Sequence, residues 1–217
     1  MIKAIIFDLD NCLAAANEVG EQFFAPAFDA IRRANHGTVS EETLSQAFTD
    51  CWRYPLDWVA TKYGFSEAML AADWKIFATT EVKEPMYGYD ELAILSELPV
   101  RRFLVTSGFR LLQESKIKAL GLERLFTAIY VDAIDEPHRK GKQGLFESIL
   151  NTHQFRAAEV LVVGDNPDSE IEAGNQLGIR TVQTLRAGVP RADNATFYIY
   201  SLTELKELLT SLENNDI

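Results

Sequence analysis

The amino-acid sequence predicts an α/β fold, a parallel sheet with helices on both faces, interrupted after its first strand by an all-helical insertion. Three observations carry this. Short apolar runs alternate with stretches of helical periodicity from residue 84 onward, the alternation that builds parallel sheets. The opening stretch "IIFDLDNCL" drives an apolar strand straight into two aspartates, Asp8 and Asp10. Between about residues 15 and 83, only helical periodicity is found.

The elements follow in order. Residues 2–7 read as a buried first strand. Residues 21–34 place Phe24, Phe28 and Ile31 on one helical face. Ser40 is a helix N-cap, with Glu41 and Glu42 in the first turn ahead of Leu44, Ala47, Phe48 and Cys51. Pro55 opens another helix, carrying Trp58, Val59 and Tyr63. Ser66 caps a fourth, with Met69, Leu70, Trp74 and Phe77. After Pro85 come a helix at 90–98, a strand at 102–105 and a helix at 109–120 closed by Gly121. A strand at 128–131, a helix at 143–150 and an apolar strand at 160–163 come next. The chain ends with a helix at 168–177 followed by Gly178, strands at 181–183 and 197–200, and a helix at 203–212.

Composition bounds the function. Apolar residues make up 47% and charged residues 24% of 217, ordinary for a globular chain able to bury a core. No apolar run is long enough to cross a bilayer, and no signal peptide is visible, so a cytoplasmic protein is expected. A net charge of −11 opposes nonspecific nucleic-acid binding. Cys12 and Cys51 lack metal spacing, and the three histidines are scattered.

Open parallel sheets bind ligands outside the carboxyl ends of their strands, so those ends deserve inspection. Strand one ends in Asp8 and Asp10, and the 102–105 strand in Thr106, Ser107 and Gly108. The segment after residue 131 leads to Lys140 and Lys142. The 160–163 strand ends in Gly164 and Asp165, with Asp168 and Glu170 just beyond. Each is common where a strand meets a loop; together they put acids, a hydroxyl and an amine on one edge.

In kind, order and separation this set resembles the haloacid dehalogenase (HAD) superfamily of phosphotransferases. The resemblance runs the length of the chain and implies a Rossmann-like, HAD-like core at residues 1–14 and 84–217. Residues 15–83 would form a helical C1-type cap. It also implies a phosphatase acting on a small phosphorylated metabolite with Mg2+ as cofactor. Asp8 would be the nucleophile and Asp10 the acid and base. Thr106, with the backbone around Ser107 and Gly108, would hold the phosphoryl oxygens. The Asp8 carboxylate, the Asp10 backbone carbonyl and Asp165 would hold the metal, with Glu170 and Asp168 behind it. In many family members the lysine lies six residues before an aromatic; Phe146 fits, which favours Lys140 over Lys142.

Two positions depart from the commonest family version, which has Gly and Thr where this chain has Asn11 and Cys12. Asn tolerates a left-handed backbone and can serve the turn. A thiol hydrogen-bonds more weakly than a hydroxyl, which softens any support for Asp10, and a small buried side chain is the plainer reading of Cys12. The presence of Asp10 favours phosphoryl transfer over dehalogenation, since a halide leaves without a proton. The loop "LAAANEVG" carries only Glu18 as a charge. The aromatic and basic residues of the insertion, among them Trp52, Arg53, Tyr54 and Trp58, read as cap core, and none is named as a binder. A phosphomutase of the same superfamily and a non-catalytic phosphate- or metal-sensing module are the alternatives. Monomer and homodimer both stay open.

Overall fold

The computed structural model of the chain describes residues 1–215. Six strands form one sheet: β1 (Ala4–Phe7), β2 (Arg101–Gly108), β3 (Ala128–Ala133), β4 (Val160–Gly164), β5 (Arg180–Thr184) and β6 (Phe197–Ile199). Their order is β3-β2-β1-β4-β5-β6 and every pairing is parallel, so β1 lies at the centre between β2 and β4. Burial on both faces explains the unbroken apolar character of β1 and β4. Alternation along β1 sends Ile5 and Phe7 into one core cluster and Ala4 and Ile6 into the other.

Between β1 and β2 the chain forms α1 (Ala25–Ala34), α2 (Glu41–Asp50), α3 (Leu56–Tyr63) and α4 (Glu67–Phe77). Ser40 and Ser66 cap α2 and α4, accepting from the Thr43 and Met69 amides at 3.1 and 3.3 Å. α1 starts at Ala25 rather than residue 21, because Pro26 is tolerated only in a first turn. Ile31, Leu44, Phe48 and Met69 give these helices a core of their own. A second cluster, Phe24, Leu56 and Phe77 against Phe109, Leu112 and Ile134, packs them onto the strand ends. Glu18 clasps the segment's two ends: its carboxylate accepts from the Tyr87 and Gly88 amides near the point where the chain returns to the sheet.

The rest of the chain adds α5 (Arg110–Ala119), α6 (Gly141–His153), α7 (Glu172–Gln176) and α8 (Glu204–Asn215). Gly121 follows α5 in the left-handed region, φ 66°, as its C′ position demands. Two predicted α-helices differ. Asp90–Glu97 winds as a 3-10 helix. Pro167–Ile171 takes a single π turn ahead of α7, with the Asn166 side chain accepting from the Asp168 amide at 3.0 Å. Among the described residues no helix is long and apolar enough to cross a membrane.

Candidate active site

β1 delivers Asp8 to the carboxyl edge. Its amide still bonds the Val163 carbonyl at 2.9 Å, so the side chain leaves the ladder at the last ordered rung. The chain then turns sharply. Asn11 takes φ 56°, doing what glycine would do, and its Oδ1 accepts from the Ala16 amide at 3.1 Å. Cys12 is fully buried, and its thiol points at the Val163 carbonyl, 3.6 Å away. Burial pushes that thiol well above its ordinary pKa, so it is no ready nucleophile.

The lysine is where sequence and geometry part. Lys142 Nζ lies 2.8 Å from Asp8 Oδ1 and 2.7 Å from Glu170 Oε2, whereas Lys140, exposed, reaches Ser148 Oγ at 3.3 Å. The reason is helical registration. α6 begins at Gly141, so Lys142 and Phe146 stand one turn apart on its buried face, and Lys140 is left outside as the N-cap. Burial alone would pull the Lys142 pKa down, yet Asp8 and Glu170 hold it above the ordinary value.

Asp8, Asp165 and Glu170 bring one carboxylate oxygen each within 4.8 Å of one another. Burial pushes the pKa of Asp8 up to about 7; burial, with Glu170 and Asp8 as neighbours, lifts Asp165 well above the carboxylate range. Glu170 is fixed from two sides, by Lys142 and by the Asn166 amide at 2.6 Å. It fits only because residue 164 is glycine, since a Cβ there would stand 2.3 Å from Glu170 Oε1. Asp168 turns away, accepting from the Tyr54 hydroxyl at 3.3 Å.

Thr106 and Asp10 meet through α5. Gln113 Nε2 donates to Thr106 Oγ1 at 2.7 Å and to Asp10 Oδ2 at 3.1 Å, and Lys116 Nζ ion-pairs Asp10 Oδ1 at 2.8 Å. The Ser107 hydroxyl is spent on Asp132 Oδ2 at 3.0 Å, and its carbonyl accepts from Gln113 Nε2 at 2.9 Å. Gly108, at φ 152°, lets Gln113 pack against its Cα face, where a Cβ would lie 3.1 Å from Gln113 Cγ. From the helical segment, Arg53 Nη2 donates to Asp165 Oδ2 at 3.2 Å, and the Arg53 carbonyl accepts from the Asn166 side chain.

Comparison with known proteins gives this geometry a family. The model for haloacid dehalogenase-like hydrolases matches residues 2–178. The chain is a haloacid dehalogenase-like hydrolase. Human N-acylneuraminate-9-phosphatase is 26% identical to it over 98% of this chain and 95% of that protein. Glyceraldehyde 3-phosphate phosphatase of Methanocaldococcus jannaschii is 24% identical over 99% of this chain and 98% of its own length. Among solved structures, a HAD phosphatase from Thermococcus onnurineus shares the fold with a TM-score of 0.64, 19% identity and coverage of 96% and 98% of the two chains.

The hydrolase's acid trio fits a divalent cation. Its donors are hard oxygens and they converge, with Lys142 and Arg53 beside them. A cavity of ≈ 90 Å³ opens over the trio between sheet edge and helical segment, with Asp8, Asp10, Arg53, Lys116, Phe24 and Phe109 in its wall.

Sequence reasoning missed Arg53, Gln113 and Lys116. For the last two a signal existed: Leu112, Gln113, Lys116 and Ile117 share the buried face of α5, and a lysine on such a face needs a partner. Arg53 lies in a loop between two helices, where nothing local announces its reach.

Proposed function

We propose that this hydrolase is a Mg2+-dependent phosphatase acting on a small phosphorylated metabolite through an aspartyl-phosphate on Asp8. The observation that carries the reading is Lys142 set 2.8 Å from Asp8, beside converging carboxylates, at the carboxyl end of the central strand. A carboxylate attacking a phosphate monoester is anion meeting anion, a repulsion of about 4 kcal/mol per pair of charges 4 Å apart at an effective dielectric of 20. Cations must answer it. Asp8, Asp165 and the Asp10 backbone carbonyl would hold Mg2+, which supplies positive charge to the phosphoryl oxygens, and Lys142 adds its own.

In the first step an Asp8 oxygen bonds to phosphorus, the ester P–O bond breaks, and the Asp10 carboxyl gives its proton to the departing alkoxide. In the second, water attacks phosphorus, its proton returns to Asp10, and the Asp8–phosphorus bond breaks, releasing phosphate. Thr106 and the backbone at Ser107 and Gly108 hold the phosphoryl oxygens, and residues 15–83 act as a cap that excludes water from the small cavity. The names of both curated relatives are those of phosphatases, which supports this chemistry.

The test is inorganic phosphate release from a panel of phosphorylated metabolites, with and without Mg2+, for the wild type and Asp8→Asn. Release that needs both Mg2+ and Asp8 is expected. Turnover that survives the chelator or the substitution overturns the mechanism, and an isomerised phosphate ester in place of free phosphate would make the protein a mutase.

A further inference from the structure

We propose that Lys116 and Gln113 are the positioning residues that aim Asp10 for proton transfer, a role that rests on the phosphatase reading above. Asp10 opens a turn whose next side chains face elsewhere: Asn11 bonds the Ala16 amide, and the Cys12 thiol points at Val163. Its carboxylate is instead fixed from α5. Lys116 holds Oδ1 at 2.8 Å and Gln113 holds Oδ2 at 3.1 Å, so both oxygens are tied and the carboxylate plane cannot rotate freely.

The two residues sit three apart, hence on one face of α5, and both are almost completely buried (2% and 4% exposed). A buried ammonium is tolerated only when paired, and the pairing found here is to Asp10 from a position in the cavity wall. The same Gln113 amide nitrogen lies 2.7 Å from Thr106 Oγ1 and 2.9 Å from the Ser107 carbonyl, so its two N–H groups are shared among three acceptors. One side chain therefore sets the spacing between the proton-transfer carboxylate and the hydroxyl assigned to the phosphoryl group. Proton transfer to a leaving oxygen demands hydrogen-bond reach and alignment, which a freely rotating carboxylate loses.

A residue that only docked α5 would weaken the enzyme on every ester alike. A residue that aims Asp10 matters in proportion to how much the leaving group needs a proton. The experiment compares kcat/KM, which reports the first step, for 4-nitrophenyl phosphate and phenyl phosphate in the presence of Mg2+. Nitrophenolate departs unaided, and phenolate does so less readily. Lys116→Met is expected to lose about 10²-fold on phenyl phosphate and under about 5-fold on 4-nitrophenyl phosphate. On the latter it should also show a nitrophenolate burst, because the second step still needs Asp10 as base. Lys116→Arg should recover most of the loss, and the near-isosteric Gln113→Met should show the same selectivity on a smaller scale, which covers the case of a misfolded Lys116→Met. Equal losses on both esters overturn the inference while leaving the phosphatase intact. A wild type no more active than Asp8→Asn, on these esters and on the metabolite panel, overturns the phosphatase reading itself.

Discussion

Arg53 and Asp165, 112 residues apart, meet at 3.2 Å, tying the helical segment directly to an acid at the carboxyl edge of the sheet. Asp165 is one of the groups proposed to hold Mg2+, so the guanidinium and the cation draw on the same carboxylate. The two positive charges also repel. Arg53→Met should therefore tighten Mg2+ binding by about 5-fold, the equivalent of about 1 kcal/mol for a partly exposed pair. Titration of Mg2+ against tryptophan fluorescence, with Trp52 next door, measures it. Unchanged or weaker affinity would show that the Arg53 pair does not oppose the cation.

The lysine assignment makes the sharpest contrast between neighbours. Lys142 is buried against Asp8 and Glu170, and Lys140 is exposed on Ser148. Lys142→Met should reduce kcat by about 10²–10³-fold, the usual cost of removing one donor aimed at developing charge. Lys140→Ala should stay within about 2-fold of wild type, as exposed substitutions generally do. Steady-state kinetics on one phosphate ester decides it, and a large loss for Lys140→Ala with little for Lys142→Met would reverse the assignment.

What was legible in the sequence depended on distance along the chain. The strand ends announce themselves because an apolar run has to stop somewhere, and a parallel sheet gathers Asp8, Thr106 and Asp165 on one edge whatever their separation. The offset from Phe146 favoured Lys140, whereas the lysine found beside Asp8 is Lys142, because a fixed offset says nothing of where α6 begins and the face shared by Lys142 and Phe146 does. The π turn at Pro167–Ile171 breaks the 3.6-residue period, so periodicity alone drew a longer helix there. Arg53 stayed hidden because packing of the helical segment, through Phe24, Leu56 and Phe77, decides where its loop lands.

Asp73 gives a prediction about pH. It lies on α4, fully buried, with no hydrogen-bond partner for either carboxylate oxygen among the described residues, and burial pushes its pKa from 3.8 up to about 7. Between those values the folded state keeps the proton and the unfolded state has lost it. Stability therefore falls as pH rises from about 4 to 7 and levels off above, by at most about 4 kcal/mol for this group. Asp73→Asn removes the ionisation while keeping the shape, and its buried amide is no better satisfied than the protonated acid it replaces. The variant should match wild type near pH 4 and exceed it by several kcal/mol at pH 8. Urea denaturation of both proteins across that range measures the gap. Parallel stability curves would mean that Asp73 is not the group whose ionisation opposes folding.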